Sequence, residues 1–318
     1  MATHSLEVTA ITRRQLFRSA VAVAVGFLPA RPVEAQGTVE AAAARRAQIG
    51  ATPIATTMLT DRLSLLSGPG GNVLLYTGTD GKVIVDGFVQ PAWTALKRIV
   101  DGTGAAPLRS MIDTHWHFDH ADNNANARAA GAEIVAHAKT ALRLSETHEL
   151  LGMRILPSPQ AARPTRRFAT THALSAANER IELAAFPPAH TDTDISVHFT
   201  RANVLHLGDT YFNGMYPFFD IATGGTINGM IAAATARLQT ADTRTRIVPG
   251  HGPIGDRATL TRYRDMLVTV RDRVQKLKQS GRTAAETVAA TPTKEFDPAW
   301  GQGLLTPDAF VGLVYASL

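Results

Sequence analysis

Cysteine is absent from this sequence of 318 residues. The absence excludes disulfides, which oxidising compartments otherwise favour, and it excludes a cysteine nucleophile. A serine nucleophile is also unsupported, because the Gly-x-Ser-x-Gly pattern that presents such a serine on a strand-to-helix turn does not occur. Chemistry performed by this chain must therefore depend on other groups.

The chain also has little net charge and few aromatic residues. The formal net charge is +5 and aromatic residues make up 6% of the chain. Without residues 1–35 the balance is 28 basic against 25 acidic residues. No stripe of lysine or arginine with interleaved aromatics is present, so nucleic acid is not an expected partner. The rest of the composition, 45% hydrophobic and 19% charged, is typical of a globular protein, and residues 36–318 suffice for one large domain.

Residues 1–35 are expected to be an export signal peptide. The segment Thr12–Arg18 resembles the twin-arginine motif, and a short apolar core follows it. Small residues near Ala35 predict cleavage after that residue and a periplasmic location for the mature chain. A membrane-anchoring helix is the alternative. It is disfavoured because about a dozen apolar residues are too few for a bilayer of about 30 Å, which needs roughly 20.

The most informative stretch is residues 115–120, which contains His115, His117, Asp119 and His120. Neutral imidazoles and carboxylates are ligands that zinc prefers. A short turn carrying four such groups can serve two ions at once, with His115 and His117 on one ion and Asp119 and His120 on the other. The pattern therefore predicts a metal site with room for two ions.

Three further candidate ligands lie downstream, namely His190, Asp209 and His251. Each follows an apolar, strand-like run that ends in a turn rich in glycine, proline or aspartate. In layered α/β folds, chemistry gathers on loops at strand ends, where a rigid scaffold positions them. Any one of the three alone would be an ordinary turn or core residue, but together with residues 115–120 they predict one metal centre.

In these motifs and in the hairpin expected at residues 70–87, the chain resembles the metallo-β-lactamase superfamily. The resemblance implies an α/β fold, a four-layer αβ/βα sandwich with the site along one edge. Asp86 matches an aspartate that is usually a buried support for the ligand loop. The implied ligands are His115, His117 and His190 for metal 1, Asp119, His120 and His251 for metal 2, and Asp209 as the bridge.

This ligand set predicts a binuclear zinc-dependent hydrolase. Two divalent ions about 3.5–4 Å apart can share a water and lower its pKa from about 15.7 towards 7. The hypothesis is attack by a metal-bridging hydroxide, oriented by Asp119, on a small ester, lactone, thioester or amide. Iron or manganese remains possible in place of zinc, because affinity alone does not decide between these metals.

Several alternatives stay open. An aspartate at position 209 is more typical of thioesterase and lactonase branches of the family, but a periplasmic location suits a β-lactamase. A hydrolytic aryl dehalogenase would use the same hydroxide. An iron-dependent sulfur dioxygenase would use a single ion and leave the second set of ligands idle. A binding module without activity is disfavoured, because all seven expected ligands are present.

Residues near Asp209 suggest where substrate would bind. The segment 211–219 is rich in aromatic residues, and Tyr211 is a candidate donor to the developing oxyanion. The alternative is that most of these rings belong to the core. Trp116 and Phe118 are likewise either pocket wall or core. Residues 147–174 form either a flap over the substrate or a surface excursion.

The periodicity of the remaining chain predicts the elements that carry these loops. Residues 256–280 form the clearest helix, with apolar residues spaced by three and four. Its apolar face is expected to pack on a sheet, with a dimer seam as the alternative, and the oligomeric state is open. Further helices are expected at 91–101 and 124–130, and strands at 63–66, 73–77, 82–85, 107–112, 133–137, 181–186, 204–207 and 246–248.

Overall fold

Two mixed sheets form the centre of the computed structural model, which describes residues 37–318. The first sheet has seven strands in the order β1-β2-β3-β4-β5-β6-β9, the second has five in the order β10-β11-β12-β13-β14, and β7 pairs with β8 in a separate hairpin. The strands are β1 (Ala55–Met58), β2 (Leu63–Gly68), β3 (Gly71–Thr77), β4 (Lys82–Val85), β5 (Leu108–Ile112), β6 (Glu133–His137), β7 (His148–Leu150), β8 (Met153–Ile155), β9 (Arg166–Phe168), β10 (Thr171–Ala176), β11 (Glu179–Ala185), β12 (Ile195–Phe199), β13 (Val204–His206) and β14 (Arg246–Val248).

Helices cover the outer face of each sheet. The helices are α1 (Val39–Gly50), α2 (Trp93–Gly102), α3 (Phe118–Ala121), α4 (Asn124–Ala129), α5 (Thr140–Arg143), α6 (Ile227–Thr240), α7 (Arg257–Gln279), α8 (Ala284–Ala289), α9 (Asp297–Trp300) and α10 (Pro307–Ser317). The strands and helices expected from the periodicity are confirmed, with ends that differ by one or two residues. None of the helices within residues 37–318 is long and apolar enough to cross a membrane.

The alternation of side chains along the strands separates the layers. In β3, Val73 and Leu75 pack with α2, whereas Leu74 and Tyr76 join a core that also contains residues of the second sheet. This is the period of two that places successive strand residues on opposite faces. Since both faces of the strand are covered, its central residues 73–76 are all apolar. The first sheet therefore lies between a helical layer and the other sheet.

The second sheet repeats this arrangement in reverse. Val204 and Val248 face the core between the sheets, whereas their neighbours Leu205 and Ile247 pack against a helical layer built mainly from α6, α7 and α10. The molecule is therefore a four-layer α/β sandwich, as expected. The apolar face of α7 is buried in this outer core, so the dimer-seam interpretation of that face is wrong.

Parallel pairing brings the ends of several strands to one edge. In the first sheet β4, β5 and β6 are mutually parallel neighbours, and in the second sheet β13 and β14 are parallel. The carboxyl ends of parallel strands lie at the same edge of a sheet, which is where α/β folds place their ligands. The loops that follow β4, β5, β13 and β14 are thereby assembled at a common edge.

Residues 147–174 are more regular than their three prolines suggested. The β7–β8 hairpin packs beside α1, where Thr38 bridges to Met153. The ring of His148 lies tilted against that of Trp116, with ring centroids 4.2 Å apart. The hairpin thus lies next to the loop of residues 115–120, and its role as a substrate flap remains a prediction.

Candidate metal centre

Seven side chains meet at the edge where the parallel strands end. His115 and His117 follow β5, and the first turn of α3 carries Asp119 and His120. The other three lie after strands of the second sheet, His190 after β11, Asp209 after β13 and His251 after β14. The structure therefore brings together every metal ligand that the sequence predicts.

Three imidazoles form the first group, which matches the expected metal 1 site. One ligand nitrogen from each of His115, His117 and His190 lies within 4.8 Å of the others. The Nε2 atom of His190 and the Nδ1 atom of His117 are 2.9 Å apart. All three residues are buried, so their lone pairs converge in a space that is shielded from solvent.

The second group contains Asp119, His120 and His251, again with ligand atoms within 4.8 Å of one another. His251 Nε2 lies 3.5 Å from Asp119 Oδ2. Asp209 lies between the groups, since its carboxylate oxygens are 3.3 Å from His120 Nε2, 3.2 Å from His251 Nε2 and 3.5 Å from His190 Nε2. A carboxylate in this position can bridge two ions.

Unpartnered polar atoms test whether metal ions fit this cluster. Within the described residues, His115 Nε2, His120 Nε2 and Asp209 Oδ1 are buried and have no hydrogen-bond partner. A buried polar atom without a partner costs free energy, about 1–3 kcal/mol. Imidazole nitrogens and carboxylate oxygens are the donor set of divalent zinc, so metal ions at the centre would satisfy these atoms.

Electrostatics divide the histidines into two kinds. Burial lowers the pKa of His190 to about 3 and lowers the pKa of His115 well below its usual range. Burial also opposes the charging of His120, but Asp209, Asp86 and Asp119 together outweigh it and raise the pKa of His120 well above its usual range. Asp209 likewise raises the pKa of His251 against the effect of burial. His115 and His190 are therefore already in the neutral form that binds metal.

Asp86 supports the second group from the end of β4. Its carboxylate accepts hydrogen bonds from the backbone N–H and the hydroxyl of Thr114, and its Oδ2 lies 2.8 Å from Nδ1 of His120. This contact leaves Nε2 of His120 free to face the cluster. Asp86 is fully buried and has a φ of 65°, a left-handed conformation that is uncommon for residues other than glycine. The structure thus places Asp86 where the resemblance implied a supporting role.

Position 250 requires glycine because the backbone there passes very close to the side chain of Asp209. A Cβ atom there would lie 1.8 Å from Oδ1 of Asp209. The Gly250-His251 pair therefore brings the backbone after β14 directly against the bridging carboxylate, and any side chain at position 250 would displace it.

A loop that the sequence analysis noted only for its aromatics also contacts the ligands. Oδ2 of Asp220 lies 3.5 Å from Nε2 of His117, and Nδ1 of His190 lies 2.8 Å from the carbonyl oxygen of Phe218. Burial opposes ionisation of Asp220, but its contact with His117 outweighs this and lowers the pKa of Asp220 to about 2. Asp220 carries no motif signal, because its position beside His117 arises only from folding.

Tyr211 does not occupy the position expected of an oxyanion donor. Its side chain is fully buried, its ring packs edge-on against Tyr263 with centroids 5.1 Å apart, and Gly255 lies against its hydroxyl. Burial raises the pKa of Tyr211 to about 12. The aromatic side chains Phe212, Tyr216 and Phe219 are also buried, so the alternative that most of this segment belongs to the core describes Tyr211 better than the catalytic role.

Three aromatic rings border the ligands. The ring of Phe212 stacks on His251 at 5.2 Å, and the partly buried ring of Phe218 lies 6.2 Å from His117. Trp116 is buried, and its ring lies 4.6 Å from that of His117. Phe118 packs in the core of the first sheet. Apolar rings therefore form part of the surroundings of the metal centre.

This chain belongs to the metallo-beta-lactamase superfamily, whose sequence model matches residues 66–251. The match begins in β2 and ends at His251, so it includes every candidate ligand. No curated protein sequence matches the chain. Members of this superfamily are mostly hydrolases, and the His and Asp groups described above could hold metal ions.

Solved structures show the same fold in distant relatives. A metallo-beta-lactamase from Pontibacter korlensis aligns with a TM-score of 0.58 at 18% identity, covering 68% of this chain and 99% of its own. The metallo-beta-lactamase DIM-1 gives 0.57 at 18% identity, covering 69% of this chain and 99% of its own. The sec-alkylsulfatase Pisa1 from Pseudomonas sp. gives 0.62 at 16% identity, covering 82% of this chain but only 50% of its own. These likenesses establish the fold.

Proposed function

We propose that this protein is a binuclear zinc-dependent hydrolase of a small ester, lactone, thioester or amide. The observation that carries the proposal is the convergence of seven ligand side chains in three overlapping groups, each with ligand atoms within 4.8 Å. An iron or manganese pair would be held by the same residues, because imidazole and carboxylate ligands bind all of these metals.

Differences in side-chain exposure among the ligands support the roles proposed for them in the reaction. When bound, two divalent ions supply an activated water and stabilise the negative charge of the transition state. The side chains of Asp119 and His251 are 17% and 24% exposed, whereas the side chains of His115 and His120 are almost fully buried. Asp119 is thus more exposed than His115 and His120, and in this proposal it orients the attacking water, accepts its proton and delivers a proton to the leaving group.

The charges around the centre favour a substrate without strong charge. Arg46 pairs with Asp122 at 2.6 Å, and Arg143 pairs with Asp192 at 2.9 Å, so each of these two guanidinium groups already has an acidic partner. The partly buried ring of Phe218 offers apolar contact beside the ligands. A small, mostly apolar acyl compound suits these surroundings better than a phosphodiester.

Three other substrate classes are included in the test. β-Lactam hydrolysis is the main alternative, since an exported enzyme would meet β-lactams, and two of the solved relatives are lactamases by name. An alkyl sulfate is added because a sulfatase aligns over a larger share of this chain. A hydrolytic aryl dehalogenase remains a further alternative.

We also propose export to the periplasm. The proposal rests on the twin-arginine-like segment within residues 1–35, which lie outside the described residues.

The test is metal analysis of the purified mature protein together with a substrate panel. The panel contains chromogenic esters, lactones, thioesters, anilides, β-lactams, aryl halides and alkyl sulfates, each assayed before and after chelation. We expect two zinc ions per chain and chelator-sensitive turnover of one acyl class. His117→Ala should lose metal and turnover together, whereas His198→Ala, a histidine of β12 outside the cluster, should retain both.

Two results would overturn the proposal. A single iron per chain with oxygen consumption and no hydrolysis would indicate a sulfur dioxygenase and leave the fold alone standing. Full turnover by metal-free His117→Ala would remove the metals from the reaction altogether.

A further inference from the structure

The loop from Phe218 to Gly225 contacts two of the three histidines expected on metal 1. The carbonyl oxygen of Phe218 is 2.8 Å from Nδ1 of His190, and the backbone N–H of Asp220 donates to the carbonyl oxygen of His190 at 2.7 Å. The Asp220 carboxylate reaches His117. One short loop therefore faces the outer side of both imidazoles, opposite the cluster.

The two nitrogens of His117 face different surroundings. Its Nδ1 points into the cluster, 2.9 Å from Nε2 of His190. Its Nε2 is buried, makes no hydrogen bond within the described residues and lies 3.5 Å from Oδ2 of Asp220. A neutral imidazole carries its proton on one nitrogen only, and the partner of that nitrogen decides which one it is. A carboxylate opposite Nε2 favours the proton there and leaves Nδ1 bare.

Asp220 is itself held in this orientation. Its Oδ2 accepts a hydrogen bond from the Thr223 hydroxyl at 2.7 Å, and its Oδ1 accepts one from the backbone N–H of Ala222 at 3.1 Å. Its carbonyl oxygen accepts from Gly225 at 2.7 Å, and the side chain is 7% exposed. The hydrogen bonds from Thr223 and Ala222 fix the orientation of the carboxylate, and the bond from Gly225 closes the loop. The Asp220 side chain therefore has little freedom to turn away from His117.

A glycine at position 225 makes this loop possible. A Cβ atom there would lie 2.4 Å from the carbonyl oxygen of His190 and 2.7 Å from the backbone nitrogen of Asp220. The loop can therefore approach both residues only because position 225 has no side chain.

We propose that Asp220 is a positioning residue for metal 1, which accepts the Nε2–H of His117 and so directs the bare Nδ1 lone pair to the ion. The inference rests on the metal centre proposed above. It goes further in assigning a separate supporting carboxylate to each ion, Asp86 through His120 for metal 2 and Asp220 through His117 for metal 1. Partners of this kind typically contribute 10–100-fold, roughly, to metal affinity.

The test measures zinc affinity in variants that retain a single metal site. His251→Ala removes a metal 2 ligand and leaves metal 1, whereas His190→Ala removes a metal 1 ligand and leaves metal 2. Asp220→Asn is then added to each background, and affinity is measured on metal-free protein by competition with a chromogenic chelator. We expect a loss of about 10–100-fold in the His251→Ala background and a change within about threefold in the His190→Ala background.

A matched control separates positioning from loss of a buried carboxylate. Asp192 is also 7% exposed and lies two residues from His190, but it pairs with Arg143 and Lys139. Added to the His251→Ala background, Asp192→Asn should lower the thermal stability of the protein without changing the zinc affinity of metal site 1. Thr223→Val, which keeps Asp220 but removes one contact that orients it, should weaken metal 1 to an intermediate degree. If Asp220→Asn does not fold, Thr223→Val alone tests whether the orientation of Asp220 affects the affinity of metal site 1.

Nitrogen NMR of His117 in the zinc-loaded protein gives a readout independent of affinity and activity. We expect a protonated Nε2 and a metal-bound Nδ1 in the parent chain, and weaker preference for that tautomer in Asp220→Asn. Equal zinc affinity with and without Asp220→Asn in the His251→Ala background would overturn the inference while leaving the hydrolase proposal intact. A parent chain that binds no zinc would instead overturn the proposed function.

Discussion

The two sides of the metal centre are supported in different ways. On the metal 2 side, Asp86 directly follows β4 and touches His120 at 2.8 Å, so the support belongs to the sheet itself. On the metal 1 side, Asp220 lies in a long connection between β13 and α6. One side depends on a strand end and the other on a loop that must be held in place by something else.

The C-terminal helices hold that loop. The hydroxyl of Tyr216 donates to Asp297 at 2.8 Å, and its backbone N–H donates to the carbonyl oxygen of Trp300 at 2.8 Å. Its ring stacks on Phe310 of α10 with centroids 4.5 Å apart. All three partners lie beyond residue 251, where the family match ends. The comparison indicates that the metal 1 side relies on a part of this chain outside the matched region.

The largest effect is expected at the residue that both sides share. Asp209→Ala removes the bridging carboxylate, whose oxygens lie 3.3 Å from Nε2 of His120 and 3.2 Å from Nε2 of His251. We expect turnover to fall by at least about a thousandfold, which is roughly 4 kcal/mol of transition-state stabilisation, with loss of one or both ions. Steady-state rates with metal analysis test this, and turnover within tenfold of the parent would contradict the bridging role.

The next largest effect is expected at Gly250, where the backbone passes close to the carboxylate of Asp209. Gly250→Ala places a Cβ atom 1.8 Å from Asp209 Oδ1, so either the carboxylate or the loop must move, at a cost of about 1–3 kcal/mol. We expect lower zinc occupancy and a lower melting temperature. Gly312→Ala is the matched control, because no atom lies within 4 Å of a Cβ at this position of α10 and alanine favours a helix by about 1 kcal/mol. Equal behaviour of the two variants would refute the packing argument.

The support at the strand end is tested by Asp86→Asn. This change weakens the acceptor for Nδ1 of His120 and for Thr114, so we expect metal 2 affinity to fall by about 10–100-fold. Chelator competition in the His190→Ala background isolates that ion. A loss confined to metal 1 would reverse the proposed division of labour between Asp86 and Asp220.

Acidification should affect the metal 2 side more. The pKa values of His120 and His251 are raised by carboxylates despite burial, whereas burial lowers those of His115 and His190. A raised pKa means that protons compete with the ion, so affinity rises with pH until the raised pKa is passed, by up to about tenfold per unit for each proton released. Calorimetry in buffers of different ionisation enthalpy counts the protons. Equal release by the two single-site backgrounds would argue against this difference.

The smallest effect is expected where the helices hold the loop. Tyr216→Phe removes one hydrogen bond to Asp297, which is worth about 0.5–1.5 kcal/mol of stability, while the stacking on Phe310 is retained. We expect a lower melting temperature and at most a few-fold loss of metal 1 affinity, with metal 2 unchanged. Denaturant unfolding and chelator competition measure both. An equal loss at metal 2 would show that α9 and α10 support the whole centre.

Most ligands of the metal centre could be predicted, because the residues that identify each ligand lie close to it in the sequence. His115, His117, Asp119 and His120 lie in one turn, and the other three ligands each follow an apolar run that ends in a turn. The four layers were implied by the resemblance to the metallo-β-lactamase superfamily, and the apolar run of residues 73–76 in β3 agrees with them, since both faces of such a strand are covered. The role given to Tyr211 failed because distance from Asp209 along the chain says nothing about the direction of its side chain.

The sequence by itself therefore determined which residues could bind metal, the hydrolase class that such ligands favour, and the alternation that builds the four layers. Only the tertiary structure decided that Tyr211 turns into the core, that Asp86 and Asp220 stand behind different imidazoles, and that the C-terminal helices hold the loop of Asp220. The physical reason is that turns and alternation act between neighbours in the chain. The contact between Asp220 and His117 joins segments far apart in sequence and exists only once the two sheets and their helices have packed together.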